Sequence, residues 1–313
     1  MMKTFKTALI TGLFAFSLCG VMYAQDINDA IKLYNDAVTA LGDKDFKAAL
    51  DHAQKALAIT ADTEADEKAD TEKNIQNLIP KIHYGEGLEL AANKKYDEAV
   101  AALQKATETA DKYNDSEVKK AAADLIPKVL VSNANGLLAA GDFAGAVPAY
   151  EKILALDPND ETSYLRIGQA QVRLNKEPEA IAAFEKAAEL GSKDAGKQLA
   201  NLYLRKSVAG QTAKKWNDVY TNAELALKYE PDDVNANKLL AASAFELKKW
   251  DAAIASYEKI LPAETNPDNT IYNLARAYEA AGNKAKACAS YKRITGNATF
   301  KAFAEAKVKE LCG

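Results

Sequence analysis

Residues 164–190 read YLRIGQAQVRLNKEPEAIAAFEKAAEL. Leu165, Gly168 and Val172 follow helical spacing, and Asn175-Lys176-Glu177-Pro178 then breaks it. Ala180, Ile181, Phe184, Ala187 and Ala188 form a second apolar stripe of the same period. Two short antiparallel helices joined by a tight turn, an αα-hairpin, account for this pattern.

The hairpin recurs along the chain. Phe46, Tyr96, Phe143, Glu177, Trp216, Trp250 and Lys284 align as one position, separated by steps of 50, 47, 34, 39, 34 and 34 residues. Three residues later stand Ala49, Ala99, Ala146, Ala180, Val219, Ala253 and Ala287. Four beyond those stand Ala53, Leu103, Tyr150, Phe184, Ala223, Tyr257 and Tyr291. A further three bring Ala56, Ala106, Ile153, Ala187, Ala226, Ile260 and Ile294. Small residues fall nine positions before the anchor at Ala37, Gly87, Ala134, Gly168, Ala241 and Ala275, where they let two backbones approach. Asp157-Pro158-Asn159-Asp160, Glu230-Pro231-Asp232-Asp233 and Asn266-Pro267-Asp268-Asn269 punctuate the joins, since proline cannot continue a helix and Asp or Asn caps the next one. A unit of this length cannot bury its apolar face alone, so it stacks on its neighbours.

These units resemble tetratricopeptide repeats. The match is tightest over Tyr164–Leu190, with Gly168, Ala180, Phe184 and Ala187 at the small and large positions, and nearly as good over 234–261 and 268–294. The resemblance covers roughly residues 28–295 and implies an all-α fold, a right-handed superhelical solenoid of about seven αα-hairpins with a C-terminal capping helix over Thr299–Leu311. One unit departs from it. Its first helix, before Trp216, is about five residues too long. Ser207 stands where glycine or alanine is expected, and Ser207–Thr212 reads as a lengthened turn.

The resemblance also implies a concave groove lined by the first helices. The groove positions are Lys128, Val131, Asn135 and Leu138, then Thr162, Leu165, Gln169 and Val172. They continue with Asn235, Lys238, Ala242 and Phe245, then Asn269, Tyr272, Arg276 and Glu279, with Arg173 at the edge. This mixture of apolar, amide and cationic groups suits an extended peptide or a helix. Tyr272, Arg276, Phe245 and Tyr203 are the candidate anchors. The family's clamp for chaperone tails is absent, because Ala242 stands four residues after Lys238 and Val131 precedes Asn135.

The front half is stretched. Leu78-Ile79-Pro80-Lys81-Ile82 and Leu125-Ile126-Pro127-Lys128-Val129 match each other, and apolar spacing runs through both prolines. Long first helices, each bent at its proline, are expected, the alternative being a short extra helix ending before each proline. These extended arms are either a second contact surface or longer walls of the same stack. The acidic run Asp62, Glu64, Asp66, Glu67, Asp70 and Glu72 has no glycine and is interleaved with Lys68 and Lys73, so it reads as a solvated helix face rather than a calcium loop.

Residues 1–24 read as a secretory signal peptide. Lys3 and Lys6 precede an apolar core at Ala8–Leu18, and a cleavage position follows Ala24. The alternative is a lipid anchor at Cys19, preceded by the large Leu18. The expected organisation is a signal at 1–24, extended units over 25–126, a regular array over 127–295 and a cap over 296–313. Export places the protein in the periplasm or at the envelope of a bacterium. Cys288 and Cys312 remain after cleavage and either form a disulfide pinning the cap or stay apart as thiols.

With 40 basic and 44 acidic residues the chain is mildly acidic, which argues against nucleic acid as a partner. The two histidines, His52 and His83, lie in separate units and offer no zinc cluster; His83 reads as a packing residue. There is no phosphate loop and no nucleophile elbow. The resulting expectation is a non-enzymatic scaffold or adaptor without a cofactor or metal, monomeric, binding a protein or peptide. Two alternatives are a small-ligand or glycan-binding module and a self-assembling envelope protein. Trp216 and Trp250, placed at hairpin turns, speak against the first, and the charged final helix against the second.

Overall fold

The computed structural model describes residues 27–62 and 68–312. The signal segment 1–24, with Cys19, and Glu64, Asp66 and Glu67 of the acidic run lie outside the described residues. Among the described residues there are fifteen α-helices, a single 3-10 turn at Leu261–Ala263 and no strand. The chain divides into two compact units between Val129 and Leu130.

The first unit holds α1 (Ile27–Gly42), α2 (Phe46–Ala61), α3 (Lys68–Ala92), α4 (Tyr96–Lys112) and the start of α5 (Ser116–Ala139). Pro80 and Pro127 lie inside α3 and α5, so each helix passes through its proline as one element. A proline in a helix interior removes a hydrogen bond and crowds the preceding turn. Burial on both sides offsets that cost. Ile75, Leu78, Ile79 and Ile82 sit in one core, and Val118, Ala122 and Val129 in another. His83 is buried on α3 with Nδ1 3.6 Å from a Glu86 carboxylate oxygen. Burial lowers its pKa below the ordinary value, so the ring is neutral and packs as an apolar group.

The second unit holds the rest of α5, then α6 (Phe143–Leu156), α7 (Glu161–Arg173), α8 (Glu177–Glu189), α9 (Lys193–Thr212) and α10 (Trp216–Tyr229). It continues with α11 (Val234–Glu246), α12 (Trp250–Ile260), α13 (Asp268–Ala280), α14 (Lys284–Arg293) and α15 (Lys301–Leu311). From α6 onward each helix packs on the next in chain order. At two of the three joins an aspartate caps the next helix, Asp160 at Ser163 N–H at 3.0 Å and Asp233 at Ala236 N–H at 2.7 Å, whereas Pro267 holds the cap position of α13 without a side-chain bond.

The seven aligned anchors are the first residues of α2, α4, α6, α8, α10, α12 and α14. The alanines and the valine three residues later are all wholly buried. Ala180 and Phe184 are both 0% exposed, and a Cβ on Gly168 would lie 2.5 Å from the Phe184 ring. Gly87 meets Leu103 in the same way, at 2.7 Å. In these two hairpins the small residue of the first helix therefore receives the large residue of the second.

One expectation fails. Ser207–Thr212 is not a lengthened turn but part of α9, which runs 20 residues. Ser207 occupies the small-residue position and is fully buried. Its hydroxyl donates to the Val219 carbonyl at 2.9 Å, so the polar atom is satisfied and the helix continues. The turns inside the hairpins follow one rule that the apolar pattern does not reveal. Two residues before each anchor the backbone enters the left-handed region, at Lys44, Lys94, Gly141, Asn175, Lys214, Lys248 and Gly282.

Replacing Gly168 by alanine is expected to cost about 1–3 kcal/mol in urea denaturation, because the enclosed Phe184 ring has nowhere to go. Replacing Lys248, at φ 59°, by glycine is expected to stabilise by about 0.5 kcal/mol, the relief of left-handed strain exceeding the added chain entropy. A neutral or reversed result for either would show that the close approach or the turn is softer than described.

Candidate functional site

The second unit contains a cavity of about 490 Å³ lined by Leu138 and Ala139 of α5, Gly141, Phe143 of α6, and Gln169, Val172 and Arg173 of α7. Phe184 and Gln198 complete it. Four expected groove positions, Leu138, Gln169, Val172 and Arg173, thus share one wall. Helical spacing puts them there, since 169, 172 and 173 fall on one face of α7. The Arg173 guanidinium carbon lies 5.9 Å from the Phe143 ring centroid, and Gln169 Oε1 accepts a 3.0 Å bond from Arg166 Nη1. With its oxygen so engaged, the group that Gln169 has left to offer is its amide N–H donor. The lining holds one cation, two amides, apolar side chains and no acid. Gln198 is not among the expected groove positions, which include none in α9, a helix of 20 residues that departs from the regular unit.

A second cluster joins three further expected residues. Arg276 lies 4.7 Å from the Phe245 ring centroid and 5.6 Å from that of Tyr272. Phe245 meets Trp250 edge-on at 5.2 Å. Tyr272, however, is stacked on Phe300 at 4.8 Å and touched by the edge of Phe303, so the final helix already uses much of its ring.

The remaining expected residues stand elsewhere. Tyr203 is buried, lies parallel to Tyr229 at 6.5 Å and donates to Glu185 Oε1 at 3.1 Å. Its ring and hydroxyl are thus both engaged inside the fold. Lys238 pairs with Glu264 at 2.5 Å, and Asn135 accepts the Tyr150 hydroxyl at 2.6 Å, so each meets a partner only in competition with an internal bond. Asn235 is exposed on α11. Cys288 and Cys312 are joined by a disulfide with Cα atoms 5.7 Å apart.

Tetratricopeptide-repeat models match residues 80–113, 132–195, 222–269 and 270–298, together more than half of the chain. This chain belongs to the tetratricopeptide-repeat family. A tetratricopeptide repeat protein from Parabacteroides merdae is 14% identical over 91% of this chain and 100% of its own, with a TM-score of 0.29. YrrB, described as a tetratricopeptide-repeat protein with an unusual peptide-binding site, is 19% identical over 57% of this chain and 91% of its own, with a TM-score of 0.32. The TPR2AB domain of yeast Sti1, solved as a complex with pHSP90, is 16% identical over 91% of this chain and 98% of its own, with a TM-score of 0.33. No curated protein sequence matches the chain.

Among the described residues of this tetratricopeptide-repeat chain, no group of three or more His, Cys, Asp or Glu side chains is placed to hold a metal, and no helix is long and apolar enough to cross a membrane. The shifted titrations include phenols of the repeat core. Burial pushes Tyr203, Tyr257 and Tyr278 up to about 12, and the carboxylates Glu185 and Glu258 beside the first and last add to it. These groups favour the neutral form in the folded state. The stability they contribute is complete below pH 10, their unperturbed value, and is lost as pH rises from 10 towards 12. A near-ultraviolet phenolate titration should therefore show a class of tyrosines that ionises only together with loss of helical circular dichroism. Ionisation of all tyrosines near pH 10 with the helices intact would contradict this.

Proposed function

We propose that this protein is a non-enzymatic interaction scaffold whose second unit holds an extended segment of another protein against α5 and α7. The observation that carries this reading is the cavity joining Leu138, Gln169, Val172 and Arg173 over the Phe143 and Phe184 rings. It offers an apolar floor for one aliphatic side chain. Beside that floor stand a guanidinium and an amide donor for a main-chain carbonyl or a carboxylate. No acid lines the site, although the chain as a whole has more acids than bases. An acidic residue or chain end next to an aliphatic residue is therefore the favoured ligand chemistry. The Phe245, Tyr272 and Arg276 cluster supplies a further contact.

The working place of the scaffold is outside the inner membrane, in the periplasm or at the envelope. Lys3 and Lys6 ahead of the apolar stretch Ala8–Leu18, with Ala24 at the cleavage position, support that reading. The paired Cys288 and Cys312 suit an oxidising compartment.

A random peptide library selected on the purified protein tests the site. Selected peptides should carry an aliphatic residue beside a carboxylate. Arg173→Ala should weaken them by about tenfold or more without moving the thermal midpoint. Equal binding by Arg173→Ala and Gln169→Ala variants would place the recognition surface elsewhere.

A further inference from the structure

The hairpin of α13 and α14 is followed among the described residues by the single helix α15, which packs on it. Ala304 is wholly buried there, while Phe300, Val308 and Leu311 lean on the terminal core. Phe303 touches the rings of Tyr272 and Tyr291 edge-on yet remains 42% exposed. Lys307 reaches Glu279 at 2.6 Å and Glu310 at 3.0 Å.

This is thin cover. α15 has 11 residues and, among them, a single buried side chain. A helix so short does not hold itself together in water, and its partly exposed ion pair contributes little. What distinguishes α15 is that both of its ends are tied. At its start the Asn297 side-chain amide donates to Asp268 Oδ2 at 2.6 Å, and at its finish Cys312 is bonded to Cys288 of α14. The two cysteines differ in access: Cys312 is exposed and Cys288 is buried.

We propose that the Cys288–Cys312 bridge is a thiol-operated latch on α15: closed, it holds the helix over the aromatic end of the array, and opened by a dithiol reductant, it lets the helix leave. One thiolate of the reductant attacks the accessible Cys312 sulfur. The S–S bond breaks, Cys288 departs as a thiolate and takes a proton from solvent. The second thiol of the reductant then attacks the mixed disulfide, giving the oxidised cyclic reductant and the Cys312 thiol. Two electrons and two protons have passed to the protein. With one end free, α15 lifts, and the Tyr272 ring, beside the Arg276 guanidinium, loses its cover of Phe300 and Phe303. The aromatic face open to other molecules grows, whatever the cavity near Arg173 binds.

Hydrogen exchange read by mass spectrometry tests the latch without any ligand. The protein is compared as isolated, with its bridge intact, and after reduction by dithiothreitol and alkylation, with two added alkyl groups confirmed by mass. Amides of 301–311 should exchange on the order of 100-fold faster after reduction, the scale expected for removing a cross-link that closes a loop of this size. Amides of 284–293 should keep their protection. Cys312→Ser, which leaves the buried Cys288 untouched, should reproduce the reduced pattern. Unchanged exchange of 301–311 with both thiols alkylated overturns the proposal. So does joint loss of protection across α13, α14 and α15, which would make the bridge a staple of the whole hairpin.

Discussion

Gly168 has no side chain because the Phe184 ring stands where one would be. That contact sets the distance between the two helices of its hairpin, and the same exchange of small for large recurs at Gly87 with Leu103. Once the distance is set, the alanines just inside each second helix are sealed from water, and the hairpin becomes a flat, two-helix slab. A slab has two broad faces and no interior of its own. Its apolar side chains reach low exposure only when another slab is laid on them, which is why stability in this architecture is shared between neighbours. The cavity at Arg173 follows from the same constraint: rigid first helices present side chains at fixed intervals, and α5 and α7 leave a gap between theirs.

Much of this was readable in the residues. The seven aligned positions turned out to be the first residues of seven second helices, and their alanines are buried throughout. Continuity of α3 and α5 through Pro80 and Pro127 was legible because apolar spacing persisted on both sides of each proline. Spacing reports which face a residue occupies. It does not report whether an atom on that face is already spoken for. Tyr203 is an example: its hydroxyl meets Glu185 from a different helix, and nothing in the local pattern announces that bond. Lys238 with Glu264 and Asn135 with Tyr150 are further cases. Ser207 misled in another way. A serine at a position for small residues looks like a break, yet its hydroxyl finds the Val219 carbonyl and the helix runs on.

The single helix that follows the α13–α14 hairpin covers it differently from an internal neighbour. A copy of the internal seam would leave an apolar face bare, whereas α15 supplies one buried alanine, a few leaning apolar side chains and a charged outer surface. Much of its attachment is covalent, placed at the end opposite the connecting turn. Internal hairpins, by contrast, are held by burial from both sides and carry no cross-link among the described residues.

The left-handed turn positions carry a consequence for how the molecule breaks. At Lys94-Lys95, Lys214-Lys215 and Lys248-Lys249 a pair of exposed lysines sits at the bend between two helices of one hairpin. An enzyme that cuts after lysine meets exposed side chains there, and a nick severs the chain between partners that remain clasped by their buried alanines. Limited digestion would then yield fragments that separate under denaturing conditions but travel together in native buffer, so an intact outline in solution is no proof of an intact polypeptide.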